Sequence, residues 1–290
     1  MSKNIRILSF NTHLFKGSLP GTFDPKILYE DTPRANKCLE LSNGPFDILG
    51  FTEVWADKMR EKFINTLSSY KSFSQPSREF YLASPGMVLS VKGQWANTNF
   101  SYYKGLIGDD AFSSKGVAFG IAQTNSKIIG ILQTHAQATY TGKEKEDRTA
   151  RDKQILETLI PDVKKVIKIL NELKFKAPII LLGDLNIVGG SDEYQWFSDQ
   201  MSSLGFFDCW TRMHPNNPGI TYDPIHNPLV KRWDPTQKTP QRLDYMFLNP
   251  MGSGAKCQEM NILIDWKVDV GGNDIFLSDH YPIELIINIP

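Results

Sequence analysis

The chain has 290 residues, and its 32 lysines and arginines balance 32 aspartates and glutamates, so the formal net charge at pH 7 is zero. This balance argues against a protein that binds through a broad basic face, as non-specific nucleic-acid binders do. Hydrophobic residues make up 41% of the chain and charged residues 22%, which is typical of a globular protein rather than a disordered or fibrous one.

Short apolar runs of β-forming residues recur along the chain and predict strands at 5–10, 47–52, 87–91, 116–122, 127–133, 178–182, 243–248 and 281–289. Several runs, such as 128–132 and 179–182, are apolar on both faces, as strands between two layers must be. Helical patterns lie between them at 35–41, 56–67, 150–173 and 193–204, and we expect Pro161 to break or kink the longest. This mixture predicts an α/β fold, and we expect residues 1–290 to form a single domain.

The segment 210–242 departs from this pattern because it carries six prolines and little periodicity. A long irregular segment in a compact domain is usually functional, so we expect a wall or lid over a site. A surface insertion without a role is the alternative. Neither a dinucleotide-binding GxGxxG nor a phosphate-binding GxxxxGK[ST] follows any predicted strand.

Cysteine usage and the N-terminal residues suggest a cellular location. The three cysteines, Cys38, Cys209 and Cys257, include no CxxC pair, which excludes a disulfide-stapled fold and a cysteine-based zinc site. No apolar run is long enough to span a membrane, and no charged-then-apolar leader precedes the first predicted strand. We therefore expect a cytoplasmic protein, with secretion after removal of a leader as the alternative.

Polar residues able to bind a metal or transfer a proton lie at the ends of the predicted strands. They are Asn11, His13, Glu53, His135, Gln137, Asp184, Asn186, Asp279 and His280. Each alone has an ordinary explanation as a turn former, a helix cap or a structural histidine. Together, carboxylates, amides and histidines suit an oxygen-ligated cation such as Mg²⁺ or Ca²⁺ combined with proton transfer. A zinc site is disfavoured because HExxH is absent.

Six short segments, in this order, resemble the motif series of the endonuclease/exonuclease/phosphatase superfamily. They are SFNTH (9–13), FTEV (51–54), THAQ (134–137), GDLN (183–186), RLDY (242–245) and SDHYP (278–282). The resemblance implies a four-layer α/β/β/α sandwich, in which two packed mixed sheets are flanked by helices. It also implies hydrolysis of phosphodiesters or phosphomonoesters with a divalent metal.

Within that superfamily the chain resembles the bacterial neutral sphingomyelinases most. THAQA (134–138), SSKG (113–116), Arg151 with Gln154, and the loop through Thr221, Asp223 and Asn227 carry this likeness. It implies cleavage of sphingomyelin to ceramide and phosphocholine.

One departure from that branch concerns contact with lipid. Secreted members carry an aromatic-tipped hairpin before the SDH motif, whereas 268–275 reads VDVGGNDI here. The aromatic residues Trp95, Phe100, Tyr102, Tyr103 and Phe112 either replace that hairpin at a lipid interface or pack under a long loop.

The resemblance places Mg²⁺, or another divalent cation such as Mn²⁺ or Ca²⁺, at Glu53 with Asn11 nearby. An acidic side chain is the natural anchor for a cation that also touches a substrate phosphate. We expect Asp279 to serve a second metal position or the surroundings of His280.

The catalytic set follows from what phosphodiester hydrolysis requires. We assign His280 as the general base for the attacking water, oriented by Asp244, because a carboxylate on the second ring nitrogen fixes the tautomer and raises basicity. Asp184 would position that water or share the base role. Asn186 would donate a hydrogen bond to a non-bridging oxygen of the substrate, and a protonated His135 would bind the phosphate.

Several alternatives stay open. A nuclease on the same scaffold is disfavoured by the neutral charge and by the THAQ form. A phosphatase acting on inositol phosphates or phosphoinositides could use Lys143, Lys145, Arg148 and Arg151, although acidic residues dilute this cluster. A binding scaffold without activity is the remaining alternative. We expect a monomer that acts on a phospholipid or another phosphodiester, with peripheral membrane contact left open and nucleic acid disfavoured.

Overall fold

The structure, a computed structural model, describes residues 3–16, 25–77 and 83–290. Its strands are β1 (Lys3–Leu14), β2 (Ile48–Val54), β3 (Lys71–Phe73), β4 (Val88–Val91), β5 (Gly93–Tyr102), β6 (Gly116–Thr124), β7 (Lys127–His135), β8 (Ile179–Asp184), β9 (Phe207–Asp208), β10 (Asp244–Asn249), β11 (Lys256–Ile262), β12 (Lys267–Asp269), β13 (Asp274–Phe276) and β14 (Ile283–Ile289). Its α-helices are α1 (Pro25–Ser42), α2 (Asp57–Thr66), α3 (Glu144–Gln154), α4 (Ile160–Glu172), α5 (Asp192–Ser203), α6 (Cys209–Met213) and α7 (Pro228–Trp233).

The strands form two six-stranded mixed sheets and one small hairpin. The first sheet has the order β11-β14-β1-β2-β4-β3, the second has the order β5-β6-β7-β8-β10-β9, and β12 pairs with β13. The pairs β1–β2 and β7–β8 are parallel, and the other pairs within the two large sheets are antiparallel.

Three apolar layers hold the sheets and helices together. The inner faces of the two sheets pack on each other through side chains such as Ile7, Leu182 and Leu285. Helices α1 and α2 cover the outer face of the first sheet, and α4 and α5 cover that of the second. Each fully buried aliphatic side chain contributes about 1.5–3 kcal/mol. The predicted four-layer α/β/β/α sandwich is confirmed, and it explains why the central strands are apolar on both faces.

The long helical pattern at 150–173 continues through Pro161 without a break. Helix α3 passes into one π-helical turn, Ile155–Leu159, and then directly into α4, with Pro161 at its second position. Proline has no N–H to donate, and the wider turn before it accommodates this loss. No helix in the described ranges has the length and apolar character needed to cross a bilayer.

The aromatic stretch that could have met lipid is packed into the second sheet. Trp95 and Phe100 lie on the edge strand β5 and pack against the core between the sheets. Tyr103 is buried, and its hydroxyl lies 2.6 Å from Thr134 Oγ1. Phe112, by contrast, is 52% exposed. Most of these rings therefore pack against the protein, although they do so at an edge strand rather than under a long loop.

Gly183 is required by the close pairing of β8 with β7. Its φ is +134°, and a Cβ at this position would lie 1.9 Å from the Thr134 carbonyl oxygen. We expect Gly183→Ala to lower the free energy of unfolding by about 3 kcal/mol or more, because a left-handed backbone and a backbone clash combine. Chemical denaturation with urea would measure this loss.

Gly190 provides the matched control for this prediction. It also has a positive φ, +79°, but nothing lies within 4 Å of its Cβ position. Gly190→Ala should therefore cost only about 1 kcal/mol. Equal losses in the two variants would contradict the packing argument.

Candidate active site

Strands from both sheets bring polar side chains to one common edge. β1, β2, β7 and β8 end there, whereas β10 and β14 begin there. The ladders pair His135 with Asp184 and Asp184 with Asp244, so these three residues stand side by side in the second sheet. The first sheet and its adjoining loops contribute Asn11, Glu53, Asp279 and His280. The contacts described below join all eight site residues predicted from the sequence into one cluster.

The Asn11 amide connects the carboxylates of the two sheets. Its Nδ2 donates to Glu53 Oε1 and to Asp184 Oδ2, both at 2.9 Å. Its Oδ1 accepts a hydrogen bond from the His13 N–H at 3.2 Å. Asn11 therefore lies beside the expected metal anchor and orients two acidic groups toward each other.

Two groups of side chains have the spacing needed to hold a metal ion. Ligand atoms of Glu53, His135 and Asp184 lie within 4.8 Å of one another, and so do those of Asp184, Asp244 and His280. His135 Nε2 is 3.6 Å from Glu53 Oε1 and 3.7 Å from Asp184 Oδ2. Buried His135 Nδ1 and Asp244 Oδ1 have no hydrogen-bond partner within the described residues, which is costly unless something else occupies the site. Carboxylate oxygens with an imidazole fit a divalent cation.

His13 lies between Glu53 and Asp279, the residue expected to serve a second metal position or the surroundings of His280. Its Nδ1 is 3.1 Å from Asp279 Oδ1 and 3.3 Å from Glu53 Oε2. Asp279 belongs to neither group with metal-binding spacing. The sequence named His13 as a candidate without fixing its role, because only the fold brings it between two carboxylates from distant motifs.

Three residues of the site have left-handed backbone conformations. The φ angles are +49° at His13, +57° at Glu53 and +53° at Asn186. Such conformations are costly outside glycine and persist where the surrounding structure imposes them. They turn these side chains away from the strand ladders and into the shared edge.

Asp244 orients His280 as expected. Asp244 Oδ2 is 2.8 Å from His280 Nδ1, and His280 Nε2 is 3.9 Å from Asp184 Oδ2. Burial alone would lower the pKa of His280, but the charge and hydrogen bond of Asp244, with the charge of Asp184, raise it well above its ordinary value. The surroundings of His280 therefore favour the protonated imidazole.

The two central carboxyl groups are driven in opposite directions. Burial, followed by the charge of Asp244, raises the pKa of Asp184 to about 7. Burial would also raise the pKa of Glu53, but the hydrogen bond and charge of His13, with His135 and Lys115, hold it well below its usual range. Glu53 is thus ionised at neutral pH, while Asp184 is part-protonated.

The surroundings of His135 disfavour the protonated form that was expected from the sequence. Burial lowers the pKa of His135 well below its ordinary value, and the nearby Lys115 ammonium adds to this effect. Lys115 is itself buried, with Nζ 2.6 Å from Asp110 Oδ1 and 3.1 Å from the Ala136 carbonyl oxygen. A neutral His135 can bind a phosphate oxygen only as a hydrogen-bond donor or take part in metal binding. Lys115 lies in the SSKG motif, and its contacts with Asp110 and Ala136 were not predicted from the sequence.

Asn186 lies beside Asp184 and is partly exposed. Its backbone N–H donates to Asp184 Oδ1 at 2.8 Å, and its Nδ2 donates to the Ala136 carbonyl oxygen at 3.2 Å. An amide nitrogen carries two hydrogens, so one contact to Ala136 leaves Asn186 able to donate to a ligand.

Aromatic rings surround the polar cluster. The Trp55 ring centroid lies 5.7 Å from that of His135, and Tyr222 lies 4.9 Å from His280. Phe15 and Trp233 lie 4.8 and 4.5 Å from His13. These rings come from three segments far apart in the chain, after β1, after β2 and within the proline-rich segment, so the sequence did not identify them as one wall.

Arg151 is not part of an exposed basic cluster of the kind that the phosphatase alternative would use. Its guanidinium is buried and donates to Glu193 Oε1 at 2.8 Å and to the Gln137 carbonyl oxygen at 2.8 Å. Lys143, Lys145 and Arg148 are exposed on or beside the start of α3. Arg151 therefore has a structural role in holding the loop after β7.

Comparison with known proteins agrees with this arrangement. The chain matches the model of the Endonuclease/Exonuclease/phosphatase family over residues 33–280. It is 27% identical over 190 residues to a phospholipase C of Staphylococcus aureus, covering 63% of this chain and 53% of that protein. It is 29% identical over 188 residues to a sphingomyelinase C of Leptospira interrogans, covering 61% of this chain and 30% of that protein.

A solved structure of a beta toxin mutant from Staphylococcus aureus with bound magnesium ions has the same fold. It superimposes with a TM-score of 0.69 at 18% identity, covering 98% of this chain and 99% of that chain. The sequence match to the S. aureus phospholipase C spans only about half of that protein's length. The family match, however, extends over most of this chain and includes Glu53, His135, Asp184, Asp244 and His280, so the protein belongs to the Endonuclease/Exonuclease/phosphatase family.

Proposed function

We propose that this protein is a Mg²⁺-dependent phosphodiesterase that cleaves a phospholipid of the sphingomyelin type into ceramide and phosphocholine. The observation that carries this proposal is the convergence of Glu53, His135 and Asp184 beside the hydrogen-bonded pair Asp244–His280. The names of the matched relatives, phospholipase C and sphingomyelinase C, support the substrate class.

Glu53, Asp184 and His135 would hold the cation, with Asn11 orienting the two carboxylates. A bound divalent cation supplies positive charge that polarises a phosphoryl oxygen. The raised pKa of Asp184 means that this carboxyl group must lose its proton before it can serve as a full anionic ligand.

His280 would accept the proton of the attacking water through Nε2, since Asp244 occupies Nδ1. Asp244 also stabilises the imidazolium that this transfer produces. Because the pKa of His280 is raised, the neutral imidazole that can act as a base becomes more abundant as the pH rises. The Asn186 amide would donate a hydrogen bond to a phosphate oxygen.

The wall of the site favours a phosphocholine head group over a highly charged substrate. Phe15 and Trp233, both partly exposed, supply aromatic surface near the polar cluster, and aromatic faces attract quaternary ammonium groups. Lys115 and Arg151 are buried and paired with carboxylates, so neither is free to bind extra phosphate groups.

A substrate panel tests the proposed function. Sphingomyelin, plasmid DNA and an inositol polyphosphate would be incubated with the protein, with and without Mg²⁺. We expect release of phosphocholine from sphingomyelin only with Mg²⁺, and a loss of about 10³-fold in turnover for His280→Ala at an almost unchanged melting temperature. Hydrolysis of DNA or of the inositol polyphosphate instead would overturn the lipid assignment, and no hydrolysis of any substrate would favour a scaffold.

Glu53→Gln tests the cation site directly by isothermal titration with Mg²⁺. The substitution keeps the shape of the side chain but removes its charge, so we expect affinity to fall at least about tenfold. Glu40→Gln is the matched control, since Glu40 is exposed on α1 and pairs only with Lys37 among the described contacts. Unchanged affinity in Glu53→Gln would show that the cation binds elsewhere.

The protonation of Asp184 predicts a pH dependence of both stability and cation binding. Its pKa of about 7 in the folded protein lies above the ordinary value of 3.8, so its stabilising contribution is full below about pH 4 and is lost as the pH rises through 7. Mg²⁺ should therefore bind more tightly at pH 8 than at pH 6 and release protons on binding.

Calorimetry in two buffers of different ionisation enthalpy would count the released protons, and Asp184→Asn provides the comparison. The asparagine variant should release fewer protons than the wild type at pH 6.5. Equal proton release in the two proteins would assign the effect to another group.

A further inference from the structure

The hydrogen bond between Asp244 and His280 crosses from one sheet to the other. Asp244 begins β10 in the second sheet, whereas His280 precedes β14 in the first. The register of the second sheet fixes Asp244 against Asp184. Among the described strands, no ladder pairs β10 with β14, so the 2.8 Å separation between the carboxylate and the imidazole needs another support.

Thr221, in the proline-rich segment, contacts the backbone on both sides of this pair. Its hydroxyl oxygen accepts hydrogen bonds from the N–H groups of Leu243 at 3.1 Å and Asp244 at 3.3 Å. Its carbonyl oxygen accepts a hydrogen bond from the Tyr281 N–H at 2.7 Å. The Thr221 side chain is buried. One residue thus holds the chain beside the orienting carboxylate and beside the histidine.

The neighbouring residues of the segment strengthen this attachment. Tyr222 forms isolated β-bridges with Gln241 and with His280, and its ring lies 4.9 Å from the imidazole. Asn227 is fully buried, and its Nδ2 donates to the Ser278 carbonyl oxygen at 2.8 Å. Both ends of the SDH loop are therefore held by the same segment.

We propose that Thr221 is a positioning residue that sets the Asp244–His280 hydrogen bond, with the proline-rich segment acting as a brace between the two sheets. The role of this pair in turnover rests on the proposed function. The positioning of the pair by Thr221 does not. A methyl group in place of the hydroxyl would leave two buried N–H groups without an acceptor. The Asp244 backbone would then shift, and displacements of about 1 Å are sufficient to reduce turnover strongly.

Thr221→Val, which keeps the shape of the side chain, and Thr221→Ser, which keeps the hydroxyl, form the test pair. With sphingomyelin in mixed micelles, we expect Thr221→Val to lower kcat about 10- to 100-fold with KM changed less than about twofold. Thr221→Ser should restore kcat to within about threefold of the wild type. Equal losses in the two variants would overturn the proposal, because the hydroxyl would then have no special role.

A proton NMR measurement tests the geometry without relying on activity. The Nδ1–H of His280, hydrogen-bonded to Asp244, should give a strongly downfield resonance that disappears in His280→Gln. We expect this resonance to shift or broaden in Thr221→Val and to persist in Thr221→Ser. An unchanged resonance in Thr221→Val, or the absence of any such resonance from the wild type, would contradict the proposal.

Two further variants keep the test conclusive. Thr124→Val removes an equally buried hydroxyl that donates to the Lys92 carbonyl oxygen far from the site, and it should change neither kcat nor the resonance. If Thr221→Val does not fold, Thr221→Ala removes the same acceptor with less crowding and should give the same loss. A wild-type protein inactive on sphingomyelin would reject the proposed function, while the NMR comparison would still decide the role of Thr221.

Discussion

The hydrogen bonds of the Asn11 amide to Glu53 and Asp184 join the two sheets where their acidic side chains meet. Two like charges at about 4 Å repel by roughly 4 kcal/mol at the effective dielectric constant of a protein surface. The protein relieves this repulsion by placing His13 against Glu53 and by leaving Asp184 part-protonated. A divalent cation held by these carboxylates would supply positive charge at the same place.

Conformational strain accompanies this concentration of charge. His13, Glu53 and Asn186 have left-handed backbone angles at the ends of their strands, and Gly183 has a positive φ directly before Asp184. Such strained backbone conformations are typical of functional sites, where the packing of the surrounding structure offsets their free-energy cost. Here the three apolar layers supply that stabilisation, so the site edge can depart from regular strand geometry.

The central strands and the site residues were predicted from the sequence more successfully than the edge strands of the sheets and the protonation states of the site residues. β1, β2, β7, β8, β10 and β14 are apolar on both faces or carry a motif at one end, and both signals are local. The edge strands β5 and β11 are largely exposed and lack such a pattern, so neither was predicted. The neutral state of His135 and the contact of His13 with Asp279 depend on distances between segments far apart in the chain. Composition and spacing do not contain these distances.

No backbone ladder joins the two large sheets in the described structure. Side-chain contacts must therefore fix the position of one sheet relative to the other. Apolar attraction is non-directional, whereas hydrogen bonds require defined distances and angles. Polar contacts also cross between the sheets near the site: Gln133 Nε2 donates to the Phe51 carbonyl oxygen at 2.7 Å, and Asn11 Nδ2 donates to Asp184. The contacts of Thr221 belong to the same set. An irregular, proline-rich segment is suited to this task, because its backbone groups are not committed to a ladder and can bond to both sheets at once.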